Sequence, residues 1–145
     1  MTLDQEVKEA LVKIPGHYEI LESWEPIADL LSDSFDWAGS KIDWSKTISH
    51  DFQMLKGDLS QWSDSAATFA ALKIASFKLD TGDIVYYVSD SALDFSVRLN
   101  VSQLVDFVRF IVLAAPQHHY FFNADATWCL VVSSEGYIDF GLAKK

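Results

Sequence analysis

The stretch TWCLVV, residues 127–132, puts apolar side chains on both faces of any strand it forms. Successive side chains of a strand point to opposite sides, so such a strand must be covered twice and belongs in the middle of a sheet. Strands over 118–123 and Tyr137–Leu142 flank it, joined by Ala124-Asp125-Ala126 and Ser133-Ser134-Glu135-Gly136. Further upstream, 72–79, Ile84–Ser89 and 93–99 read as three more strands. The last alternates cleanly, with Leu93, Phe95, Val97 and Leu99 on one face and Asp94, Ser96 and Arg98 on the other. Asp80-Thr81-Gly82-Asp83 reads as a hairpin turn between the first two. The alanine-rich 66–71 fits helix and strand equally.

Between the strand groups, 101–115 is a helix apolar almost all round, with a thin polar stripe of Gln103, Asp106 and Arg109. A helix of that kind is buried by a sheet or a second layer. The first part of the chain reads as three helices. One covers 3–14, with Val7, Leu11 and Ile14 on one face and Pro15-Gly16 as its stop. The next covers 24–36, with Ser23 as N-cap, Pro26 in the first turn, a stripe of Ile27, Leu30, Leu31 and Phe35, and Gly39 as stop. The third covers 49–62, with Phe52, Leu55 and Leu59 at helical spacing. Residues 18–21 read as a short extended link and 40–47 as a loop.

Runs of helices and runs of antiparallel strands give an α+β class. The expectation is one domain: a meandering antiparallel sheet of about six strands packed with about four helices, helical over 1–65 and strand-rich over 66–145. The 145 residues suit one domain, and an apolar half is enough to build its core.

Charge narrows the function. Against 21 Asp and Glu stand 11 Lys and Arg, for a net charge of −10. Such a surface repels nucleic acid and anionic membrane and suits a basic partner. The N-terminus lacks the basic-then-apolar pattern of a secretory signal, and no apolar stretch is long enough to span a bilayer. The single Cys129 forms no internal disulfide. Asn100-Val101-Ser102 matches a glycosylation sequon and reads as chance without an export signal. A cytoplasmic protein is expected.

No common chemistry has its residues in place. His118 and His119 are neighbours on a strand and point to opposite faces, and His17 and His50 are distant in sequence. Cys129 sits in a buried strand, where cysteine behaves as a small apolar residue. Ser49, His50 and Asp51 read as the capped, dipole-matched start of a helix. G-x-S-x-G, H-E-x-x-H and a glycine-rich phosphate loop are absent from the sequence. The expectation is therefore no catalytic residue, no cofactor and no metal site.

The informative feature is where the negative charge lies. From Gly16 to Ser40 there are six acids and no Lys or Arg. Of these, Glu22, Glu25, Asp29, Asp33 and Asp36 follow one another at steps of three or four, which on a helix makes one ridge opposite the Ile27/Leu30/Leu31/Phe35 stripe. Like charges at that spacing oppose the helix, anions near its C-terminus oppose its dipole, and Asp is a poor interior residue. Local rules broken together mark a functional site. Trp24, Trp37, Trp44 and Trp62 fall in the same acidic half, and aromatics beside carboxylates suit protein recognition. The first three are the candidate anchors. A second acid-rich stretch holds Asp80, Asp83, Asp90 and Asp94.

The closing segment HHYFFNADATWCLVVSSEGYIDFG resembles the tail of small bacterial proteins encoded beside polymorphic toxins. The whole chain looks like an immunity protein of the contact-dependent growth inhibition type. That resemblance implies a partner: the basic toxin domain of a delivered effector, a nuclease and in particular a ribonuclease, whose cleft is basic because it must hold phosphates. An acidic inhibitor would be steered to that cleft and block it. Two other readings stay open. One is a nucleic-acid mimic that inhibits a DNA- or RNA-binding protein, which needs carboxylates spaced like phosphates over a long surface. The other is a small-ligand-binding or enzymatic α+β domain with a pocket between the 101–115 helix and the sheet.

Overall fold

The doubly apolar strand does lie between two layers. The computed structural model describes residues 2–90, 93–115 and 117–144. Its helices are α1 (Leu3–Lys13), α2 (Glu25–Ser34), α3 (Leu59–Ser76) and α4 (Leu104–Ala114). Its strands are β1 (Glu19–Leu21), β2 (Trp37–Ala38), β3 (Lys41–Ile42), β4 (Ile48–Met54), β5 (Ile84–Ser89), β6 (Ser96–Asn100), β7 (His119–Asn123), β8 (Trp128–Ser133) and β9 (Tyr137–Leu142). Seven of them form one antiparallel sheet in the order β1-β6-β5-β7-β8-β9-β4, and β2 and β3 form a separate hairpin. The class is α+β, as expected. No helix among the described residues is long and apolar enough to cross a membrane.

Residue alternation sorts the core into two. Trp128, Leu130 and Val132 of β8 point to the side where α1, α3 and α4 lie, and pack in one cluster with Phe107, Phe121, Ile138 and Phe140. Cys129 and Val131 point the other way, to a smaller cluster with Leu31 and Phe35 from α2 and Ile42 from the hairpin. The alternation of 93–99 holds as well: Leu93, Phe95, Val97 and Leu99 are all buried in the larger cluster. The all-round apolar helix is α4, which carries the chain from β6 across β5 to β7. Because β5 is antiparallel to both, β6 and β7 run parallel with β5 inserted between them.

Several elements differ from expectation. The helix over 49–62 is instead strand β4 followed by the start of α3. Asp58 and Gln61 form a capping box that places the helix start at Leu59. Gly57, at φ +89°, turns the chain just before it, and a Cβ there would clash with the capping Gln61 amide. Upstream, β4 is recruited by pairing with β9, a partner far along the chain. In place of the strand over 72–79, residues 72–76 are the last turn of α3, which runs through the alanine-rich 66–71 that pattern alone left undecided, and 77–79 leave the helix. Asp80–Asp83 is accordingly a helix-to-strand turn and no hairpin: Asp83 N–H donates to Asp80 O, and the Asp80 carboxylate accepts from Gly82 N–H. Residues 18–21 supply edge strand β1, and 40–47 holds β3 and a 3-10 turn, Trp44–Lys46. Four strands thus fall within 1–65, and α4 with most of α3 falls within 66–145, so the helical and strand-rich halves are not separate.

Candidate interaction surface

A helix with an acidic outer face needs an inner face that holds it down. In α2 that face is Leu31, with the C-cap Phe35 just beyond, both buried, and Ile27 and Ala28 half-buried beside them. Phe35 N–H donates to Leu31 O and ends the helix, while Pro26 opens it. The N-cap is Trp24 and not Ser23, and no side chain caps the first turn. Leu30, expected in the buried stripe, is 39 % exposed, because it lies about 100° round the helix from Leu31.

The five expected acids do not form one helical ridge. Glu25, Asp29 and Asp33 share the outward face of α2, but Glu22 precedes the helix and Asp36 follows it. All five are exposed. Glu22 is already matched, its carboxylate 2.9 Å from Lys8 Nζ on α1. Glu25, Asp29, Asp33 and Asp36 are in no ion pair among the described residues. Asp33 borders a surface depression shared with Asp125 and Lys144. Asp36 also fixes backbone, its carbonyl accepting from Asp43 N–H at 2.8 Å and closing the β2–β3 hairpin.

The tryptophans divide. Trp24 is 38 % exposed at the start of α2. Trp37 is half-buried, tilted against Tyr120 with ring centroids 5.8 Å apart, and its buried indole N–H has no partner among the described residues. Trp44 lies flat on His50, centroids 5.0 Å apart and planes within 9°, so one of its faces is taken. Trp24 and Trp37 line one groove of about 180 Å³ between α2, the hairpin and β5, whose floor is Leu31, Val88 and Tyr120 and whose wall includes Asp90. Burial pushes the Tyr120 hydroxyl up to about 12, with the Asp90 charge adding to it.

Sequence pattern missed a polar seam on the same side of the sheet. His50 Nε2 lies 2.6 Å from an Asp139 oxygen, on a strand pair that only the fold brings together. Burial holds the Asp139 carboxyl above its ordinary value, opposed by the His50 contact. The neighbouring Asp51, read with Ser49 and His50 as the start of a helix, lies instead in β4, where it pairs with Lys73 of α3 and accepts Phe52 N–H. Nearby, Lys41 Nζ donates to Glu135 and to the Tyr137 hydroxyl. The one available signal was Asp139 itself, an acid among apolar residues of a strand. No hydroxyl or thiol among the described residues is hydrogen-bonded to His50, and the pair ties β4 to β9. The Cys129 thiol is pushed well up by burial and takes no part. Among the described residues no three His, Cys, Asp or Glu converge as a metal site would require.

The arrangement leaves unpaired carboxylates on a helix that adjoins an aromatic groove, a surface suited to holding cations. No family model and no curated protein matches this chain.

Proposed function

We propose that this protein is an immunity-type inhibitor that binds a basic toxin domain, a nuclease and in particular a ribonuclease, and covers its substrate cleft. The observation that carries this reading is the set of four exposed carboxylates, Glu25, Asp29, Asp33 and Asp36, that no basic side chain of the chain's described part neutralises. Unmatched charge at helical spacing costs the helix a few tenths of a kcal/mol per pair, roughly 0.2–0.5. That cost is returned when a cationic surface docks, and the same field speeds the encounter.

Two features favour this over its rivals. Glu25 to Asp33 spans about 12 Å at 1.5 Å per residue, a compact patch where a nucleic-acid mimic needs a long one. The space between α4 and the sheet, bordered by Trp62, Val112, Ala115 and His119, measures about 70 Å³. That is room for a few waters, whereas metabolite pockets run to several hundred Å³, about 300 and upward.

The test is co-expression with candidate basic nuclease toxin domains, products of neighbouring genes first, followed by titration of the purified pair. Asp29→Lys with Asp33→Lys should weaken binding by about 2–5 kcal/mol where the charges are desolvated, and should abolish protection of growing cells. Unchanged affinity would remove α2 from the interface. Failure of the wild-type pair to associate at all would end the inhibitor reading.

A further inference from the structure

The groove beside α2 has a composition that selects its occupant. Its floor of Leu31, Val88 and the Tyr120 ring is buried, two indoles line its sides, and none of its described lining residues is basic. Its charged wall is Asp90, exposed and in no ion pair among the described residues. Ala28 and Ser32 line it from α2, the helix whose outward face carries Glu25 and Asp29. Aromatic faces attract cations, and the attraction grows as water is excluded. A planar guanidinium both stacks on rings and bonds a carboxylate, which an ammonium does less well.

We propose that the groove between Trp24 and Trp37 is a subsite for one arginine side chain of a basic protein partner, its guanidinium laid against the aromatic rings and paired with Asp90. The proposal rests on the inhibitor reading for its partner and names what that partner inserts. The volume of about 180 Å³ suits a single long side chain and excludes a folded element. Trp24 supplies the exposed face, and Trp37 with Tyr120 supplies the fixed inner wall. The arginine thus anchors the contact, and the α2 carboxylates collect the partner's remaining charge.

The probe is a blocked Gly-Arg-Gly peptide, with its citrulline counterpart as a neutral isostere, titrated into the isolated protein. The readout is the five tryptophan indole resonances by NMR. The expected result is that the Trp24 and Trp37 signals move with the arginine peptide and stay in place with citrulline. Asp90→Asn should weaken the arginine peptide by about threefold or more, and Trp24→Ala by about tenfold. Circular dichroism checks that each variant is folded, and Asp90→Asn changes no packed group. Equal shifts with citrulline, or wild-type titrations for both variants, would overturn the subsite.

The two proposals separate cleanly. Suppose the toxin domain binds, the Asp29/Asp33 reversal destroys binding, and Trp24→Ala and Asp90→Asn change neither titration. Then the subsite falls and the inhibitor reading stands. If the arginine peptide binds as described and no basic toxin domain is recognised, the subsite stands and the inhibitor reading falls.

Discussion

The two faces of the seven-stranded sheet are covered unequally. On one side α1, α3 and α4 bury a continuous apolar cluster that includes Phe95, Phe107, Phe121 and Phe140, each 1 % exposed or less. On the other, a ten-residue helix and a two-stranded hairpin lie over a smaller cluster and leave polar pairs and a groove between them. The thick layer concentrates the burial that stabilises the fold. The thin layer carries Glu25, Asp29 and Asp33, in no ion pair among the described residues, and the exposed Trp24. If the proposed function holds, stability and recognition lie on opposite sides of one sheet, and either can be changed with little effect on the other.

The largest test of that division is Phe107→Ala. Phe107 is fully buried and packs on Tyr18, Tyr87 and Phe121. Its truncation should cost about 3–5 kcal/mol in urea unfolding, while partner affinity per folded molecule stays at the wild-type value. A loss of affinity in the folded fraction would show that the two faces are coupled.

Next in size is an acid sensitivity specific to the thick side. His119 is buried, its Nε2 donating to Ala115 O at 3.0 Å and its Nδ1 accepting from the Tyr87 hydroxyl at 2.7 Å. Burial lowers its pKa to about 4, against about 6.5 in the unfolded chain. Between those values the unfolded chain binds the extra proton. The stabilisation from keeping His119 neutral is therefore whole above pH 6.5 and is lost as pH falls toward 4, amounting to roughly 3 kcal/mol. Asp139, whose carboxyl is held high, works in the opposite direction and blunts the slope. Urea midpoints at pH 7.5 and 4.5 measure the difference. His119→Gln, neutral throughout, should lose most of it. A slope unchanged in that variant would assign the acid sensitivity elsewhere.

Leu31→Ala probes the thin layer. Leu31 is 2 % exposed and is the main apolar attachment within α2. The cost should be about 2–3 kcal/mol, at the low end for a buried leucine, because a short helix on the surface settles into the space. Unlike Phe107→Ala, it should also weaken partner binding, since the acids and the groove ride on that helix. Binding unaffected by a displaced α2 would break the comparison from the other side.

How much of this was legible in the sequence follows the same division. Ile84–Ser89 and Tyr137–Leu142 read correctly to the residue, because each face of a central strand meets a packed layer and the pattern records it. β4 could not be read. Its residues are exposed along its whole length, so no periodicity of burial marks it, and only its pairing with β9 makes it a strand. The alanine run of 66–71 carries no directional signal, and its helix is set from outside by the Asp58/Gln61 capping box. In the candidate surface, charge was legible because exposed acids need no partner to be seen. The helix bounds were not, because Trp24 and Phe35 end α2 through backbone conformation and left Glu22 and Asp36 outside it. The groove and the His50–Asp139 pair join residues from distant segments, and local spacing has no access to either.

The smallest effect is the most diagnostic, because its sign is unusual. Asp33 lies in the last turn of α2, four residues after Asp29, and that turn holds no basic residue. Its charge opposes both the helix dipole and its neighbour. Asp33→Lys reverses both contributions, so it should raise stability by about 0.3–1 kcal/mol at low salt, shrinking as salt screens it. A substitution that stabilises the free protein while weakening its complex is what a surface kept for binding produces, since selection there acts on the complex and not on the helix. Urea unfolding at 20 mM and at 500 mM salt, about 22 Å against about 4 Å of screening length, separates the electrostatic part from any change in packing. If Asp33→Lys destabilised the protein, the aspartate would be serving the fold, and the acidic face of α2 would lose its claim to be a docking surface.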